Sequence, residues 1–274
     1  MSVWDSLWPF ILYKLKPTPQ PAPAPAPSTP RGPATLQFVF YNLAPGRNDV
    51  TAALPSIRDA LDDQANNEFA DAYGGVYFFR VGASPSDRRP GEVGINIRHT
   101  VPAQGAIAYH AVTNGVPDIE MALDLVSSLT TGTECLSSAL SHEVLETAGD
   151  QGANLWATRG DGVTSDARET CDFVQNTGYA KKNGVWVSNF LLPSVWIPGA
   201  RGPYDHMGKM TSQYDSSLGY GIMAQVGNVQ QVGGMKALEK TLRVVSMVGS
   251  LSELQKKRKS HPYSRASRRG LILA

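Results

Sequence analysis

His142, Glu143 and Glu146, in the stretch SHEVLE (141–146), are the residues whose types and spacing best support chemistry. In a helix, positions i and i+4 stand one turn apart on the same side. The imidazole of His142 and the carboxylate of Glu146 can therefore chelate one divalent ion. Glu143, between them in sequence, is then placed to act on a water molecule. Two ligands do not hold an ion tightly, so a third must come from elsewhere. The downstream cluster RETCDFV (168–174) offers Glu169 and Asp172 by chain reversal, and Asp150 and Asn154 could add oxygens just past the helix.

In the H-E-x-x-H motif of zinc peptidases, two histidines bind the metal and the glutamate polarises the attacking water. Here Glu146 takes the place of the second histidine. Carboxylate oxygen is an accepted zinc ligand, and its charge makes the ion a weaker Lewis acid. The competing reading is a polar stripe on a solvated helix. At about 100° per residue, Leu136, Leu140 and Val144 share one face, and Cys135, His142, Glu143, Glu146 and Asp150 share the other. The flanking LTTGTECLSSAL (129–140) carries few charges, which favours a site. Zn²⁺ is the expected ion, and Ca²⁺ is the alternative because carboxylates and an Asn carbonyl suit a hard cation. Ser141 beside His142 is no nucleophile pair, since adjacent helix residues do not face each other. There is no G-x-x-x-x-G-K loop to support nucleotide hydrolysis. Cys135 and Cys171 are too few for a disulfide framework and read as two buried thiols.

The elements that must position these residues begin at residue 35. TLQFVFYNL (35–43) predicts a strand. LPSIRDALDDQANNEFADAYG (54–74) predicts a helix with Pro55 near its first turn and Gly74 closing it. GVYFFRVG (75–82), VGINIRH (93–99) and AIAYHAV (106–112) predict three further strands, and VPDIEMALDLVSS (116–128) a second helix with a proline near its start. Thr131 and Glu134 have capping-box spacing, which starts the third helix there. That order is not a regular alternation of strand and helix, so the fold class is α+β. After Gly149 turn residues dominate, and YAKKNGVWVSNF (179–190) predicts a hairpin in which Asn183-Gly184 supplies positive φ.

The 274 residues, 42% apolar and 18% charged, are enough to bury one large domain with appendages. MSVWDSLWPFILYKLK (1–16) reads as an aromatic docking or anchor peptide: an acid precedes its apolar run, and Pro9 interrupts it, so it is neither a secretory signal nor a membrane span. Residues 17–34 alternate Pro with small residues, as an extended spacer does. The formal charge of +1 conceals an asymmetry. Lys256, Lys257, Arg258, Lys259, Arg265, Arg268 and Arg269 follow residue 255 with no acid among them, so subtracting these seven leaves −6 for the rest. The stretch 256–274 is thus a basic tail, whose 256–269 portion suits contact with a polyanion.

The run SHEVLE with Asp150 and Asn154 after it, then ETCDFV, VWVSNFLLPSVW and GPYDHMGKMT, resembles a family of uncharacterised bacterial and bacteriophage proteins with zincin-like active-site helices. Those proteins tend to carry Asp-Pro after the helix and Cys-Asp-Pro-Val in the second cluster. Gln151 and Phe173 stand at those prolines here. The resemblance covers residues 35–225, leaving an extension at 226–255 and the tail outside it. It implies a zincin-like mixed sheet packed on an active-site helix and a backing helix, with an irregular and β C-terminal region. AIAYHAV would be the edge strand beside the cleft, which draws attention to His110. Two functions follow as expectations. One is a zincin-like, metal-dependent peptidase with His142 and Glu146 as ligands, Glu143 as general base, and Asp172, Asp150 or Glu169 as third ligand. The other is a non-catalytic virion or binding protein on the same frame, tethered to an assembly partner through residues 1–16. The corresponding locations are the virion or the bacterial host cytoplasm.

Overall fold

The computed structural model describes residues 35–101, 107–113, 116–152, 155–219, 221–226 and 242–248. All of them lie in one compact unit, Pro33–Ala274. The expected docking peptide at 1–16, the spacer at 17–34 and the basic tail at 256–274 lie outside the described residues, as does Asn154. No helix among the described residues is long and apolar enough to cross a membrane.

The fold is α+β. In chain order it runs β1 (Thr35–Asn42), α1 (Asn48–Gln64), a π-helical turn (Ala65–Phe69), α2 (Ala70–Tyr73), β2 (Val76–Val81), β3 (Glu92–Arg98), β4 (Ala108–Thr113), β5 (Val116–Ala122) and α3 (Leu136–Gly149). The five strands form one mixed sheet in the order β2-β1-β3-β5-β4. The first four are parallel, and β4 pairs antiparallel with β5 at the edge.

β1 is apolar and buried without a break from Phe38 to Tyr41, because both its faces are covered there. Phe38 and Phe40 join the main core with Val50, Leu54, Ile57 and Leu61 of α1 and Leu136, Leu140 and Val144 of α3. Val39 and Tyr41 face the other way, under the loop after β2. A Cβ on Gly82 would come within 2.4 Å of the Tyr41 ring, so the loop can approach only as glycine.

Arg80 on β2 and Glu92 on β3 clamp that loop through two hydrogen bonds of 2.7 Å, and the Arg89 backbone N–H donates to the same carboxylate at 2.7 Å. The Arg80 guanidinium holds the Glu92 carboxyl down at about 2, against an ordinary 4.5. A carboxyl so depressed contributes stability that is present above its ordinary value and lost as pH falls through the folded one. Arg80→Ala should therefore cost about 1–2 kcal/mol at neutral pH, the order of a charge-assisted hydrogen bond at a partly exposed pair. Urea unfolding should show the gap between variant and wild type shrinking as pH is lowered from 4.5 towards 2.

Several expected elements need correction. VPDIEMALDLVSS is not a helix: Val116–Ala122 is strand β5, followed by a 3-10 turn at Leu123–Leu125. Its apolar residues alternate, with Ile119 and Met121 in the core. Asp118 and Glu120 lie on the other face, bonded to Arg88 at 2.7 Å and to Arg98 at 3.0 Å. Period two prevailed over the proline cue. α1 begins at Asn48, so Pro55 is in its interior and not in its first turn. The third expected helix starts at Leu136 and not at Thr131, because Gly132 takes φ 92° and interrupts the turn. Cys135 caps it instead, its Sγ accepting from the Ser138 N–H at 3.4 Å.

Beyond α3 the chain builds a smaller antiparallel sheet in the order β11-β10-β7-β6, from β6 (Trp156–Thr158), β7 (Thr164–Ala167), β10 (Gly221–Val226) and β11 (Leu242–Val248). β8 (Gly178–Ala180) and β9 (Trp186–Ser188) form the expected hairpin. Gly184 alone supplies the positive φ, at 81°; Asn183 does not share it. Strand β11 lies within 226–255, so sheet pairing continues past residue 225.

Candidate metal centre

α3 is buried on every side, including each residue from Ser141 to Thr147. This overturns the solvated-stripe reading, since the polar side of the helix faces protein. A hydrogen-bond triangle seats it there. The Ser141 hydroxyl donates to Gln64 Oε1 of α1 at 2.6 Å and accepts from the Ser188 N–H of β9 at 3.1 Å, and Gln64 Nε2 donates to the Ser188 carbonyl at 2.7 Å. Ser141 is thus a structural residue, consistent with its exclusion as a nucleophile.

The second segment of the site comes from the loop after β7. The Leu191 N–H donates to the Thr170 carbonyl at 2.7 Å, which anchors the 3-10 turn Asp172–Val174. Phe173, where the resembling proteins have proline, is buried with Leu191, Val195 and Met210. Gly219 presses on the same turn so closely that a Cβ there would lie 2.1 Å from the Asp172 carbonyl oxygen. Two of the motifs that carried the resemblance brace this region. Asn189 donates to Asp205 at 2.7 Å, and Asp205 accepts the Met210 N–H at 2.7 Å.

Between them these segments bring His142, Glu146 and Asp172 together. His142 Nε2 lies 3.0 Å from Glu146 Oε1 and 3.4 Å from Asp172 Oδ1. One ligand atom from each falls within 4.8 Å of the others, and all three residues are buried. Ligand atoms around a tetrahedral zinc with bonds of about 2.1 Å are about 3.4 Å apart, so the donor set fits an ion. Asp172 Oδ1 is buried and makes no hydrogen bond, as suits an oxygen oriented towards a cation. Of the three acids expected to supply the third ligand, only Asp172 joins this group. Asp150 closes the C-terminus of α3 and accepts the Leu155 N–H at 2.8 Å. Glu169 is buried but belongs to neither metal-competent group among the described residues.

The second such group comprises His110, Glu143 and Glu146. His110, fully buried on β4, places Nδ1 3.6 Å from Glu143 Oε2. β4 is the sheet's edge strand, as expected for AIAYHAV, and it packs on α3. The resemblance drew attention to His110 as a residue of the edge strand beside the cleft, without assigning it a partner. Its alliance with Glu143 depends on the pairing of β4 with β5, which no local pattern reveals.

Burial pushes the Glu146 carboxyl from 4.5 up to about 7, against the pull of His142 and with a further push from Asp172 and Glu143. Burial and the Glu146 charge also push the Cys171 thiol up. Cys135 and Cys171 are both free and buried, and a raised thiol is the opposite of a reactive thiolate. A cavity of about 90 Å³ borders His142, lined also by Ile107, Glu134, Ser138, Asn176 and Ser188. Compared with family models, curated proteins and solved structures, the chain matches none.

Proposed function

We propose that this chain is a metal-dependent hydrolase of the zincin-like kind, acting on peptide bonds. The observation that carries the reading is the convergence of one imidazole and two carboxylates, from α3 and from the loop after β7, at one buried point beside a cavity. His142, Glu146 and Asp172 would hold the ion. The imidazole nitrogen favours zinc over Ca²⁺, which prefers an all-oxygen shell. A bound divalent ion supplies Lewis acidity, which acidifies water and polarises a carbonyl. Glu143, one residue along the helix from His142, accepts the proton from the attacking water and returns it to the leaving amine. The triangle of Ser141, Gln64 and Ser188 fixes the helix that carries these groups, so their geometry is set before substrate arrives.

One observation favours a second reading, a non-catalytic virion or binding protein on the same frame. The cavity beside His142, about 90 Å³, is small for a peptide substrate. Elemental analysis of the purified full-length chain and of His142→Ala tests the first reading, together with cleavage of a peptide library. Zinc bound by the wild type and lost in the variant, with cleavage lost alongside it, is the expected result. A wild type that binds no ion would sink the metal reading, and one that binds zinc and cuts nothing would establish the second.

A further inference from the structure

We propose that the centre is dinuclear, with His110 and Glu143 holding a second divalent ion next to the first and Glu146 shared between the two. The inference rests on the metal site just described and extends it. His110, Glu143 and Glu146 each offer a ligand atom within 4.8 Å of the other two, and Glu146 is also a member of the His142 and Asp172 group. A carboxylate has two oxygens, so it can serve both groups, and ions linked in this way sit about 3.5–4 Å apart. The 3.6 Å between His110 Nδ1 and Glu143 Oε2 is close to the separation of about 3.4 Å expected for two ligands of one tetrahedral ion.

Metal ligation requires both imidazoles to be neutral, so the three buried carboxylates Glu143, Glu146 and Asp172 supply the negative charge of the centre. A carboxylate that binds an ion through one oxygen keeps the other for a water proton, so ligation does not take from Glu143 its role as base. His110 brings a nitrogen donor from the edge strand β4 to Glu143 and Glu146 of α3.

Equilibrium dialysis of the full-length chain against Zn²⁺, followed by elemental analysis, decides the matter. Two ions per chain are expected, falling to one in His110→Gln, a substitution of similar size. Loading with Mn²⁺ in place of Zn²⁺ should give the electron paramagnetic resonance spectrum of an exchange-coupled pair. This second measurement uses the wild type and so stands even if the variant does not fold. One ion per chain, or two ions that persist in His110→Gln or give only isolated Mn²⁺ signals, overturns the dinuclear centre and leaves the mononuclear reading intact. No ion at all overturns both.

Discussion

Glu143→Gln is expected to keep the ion held by His142, Glu146 and Asp172 while hydrolysis falls by about 10²–10⁴-fold, the range by which a positioned general base accelerates proton transfer. The amide has nearly the shape of the carboxylate and occupies the same fully buried place, so the packing of α3 survives. What it loses is the lone pair of a charged oxygen able to take a proton. Glu146→Ala should behave differently, because Glu146 groups with His142 and Asp172: the ion these three hold and the activity should disappear together. Metal content and peptide cleavage, measured on the same preparations, separate the two outcomes. Full activity in a zinc-loaded Glu143→Gln would remove Glu143 from the chemistry.

Removing the ion should cost the wild type about 3–4 kcal/mol relative to protein in the presence of zinc at about 100–1,000 times Kd, because an ion that binds only the folded chain stabilises it by mass action. The effect should depend on pH in a defined sense. In the ion-free chain Glu146 titrates at about 7 when folded, above its ordinary 4.5. Its contribution to stability is therefore fully present below 4.5 and lost as pH rises through about 7. Zinc needs the same carboxylate deprotonated, so its affinity rises across that window. The difference in melting temperature between zinc-loaded and chelator-treated protein should thus widen from pH 5 to pH 8, and Glu146→Gln should abolish it. A difference independent of pH would mean that Glu146 is not a ligand.

The helix that carries the site was legible in the sequence because its evidence is local: a histidine and two glutamates at fixed spacing, among residues of little charge. That an acid from RETCDFV or Asp150 could approach His142 was legible too. That the acid brought there is Asp172 was not, since it depends on how Thr170 ties to Leu191 and how Phe173 fills its pocket. The burial of the whole helix was equally hidden. Ser141 and His142 have the look of surface residues, and only the triangle with Gln64 and Ser188 makes them interior ones. The α+β class survived the misreading of β5, because replacing a helix by a strand left the order irregular. The misreading itself has a plain cause. Over residues 116–125 the apolar positions satisfy both periods, and the deciding partners, Arg88 and Arg98, lie 30 and 22 residues away.

The contact of Gly219 with the Asp172 turn has a consequence for the order in which the site comes into being. Chains emerge from the ribosome N-terminus first. A nascent chain that ends shortly after α3 has His142 and Glu146 one turn apart, but neither Asp172 nor the glycine that presses behind its carbonyl. Such a chain holds a two-point claw at best, and it sets two buried-to-be acids beside each other with no partner from downstream. An ion held by His142, Glu146 and Asp172 would therefore be captured tightly only at the end of biogenesis, after the strand that follows Gly219 has joined its sheet, and it would act as a seal on a finished fold in place of a seed for a growing one.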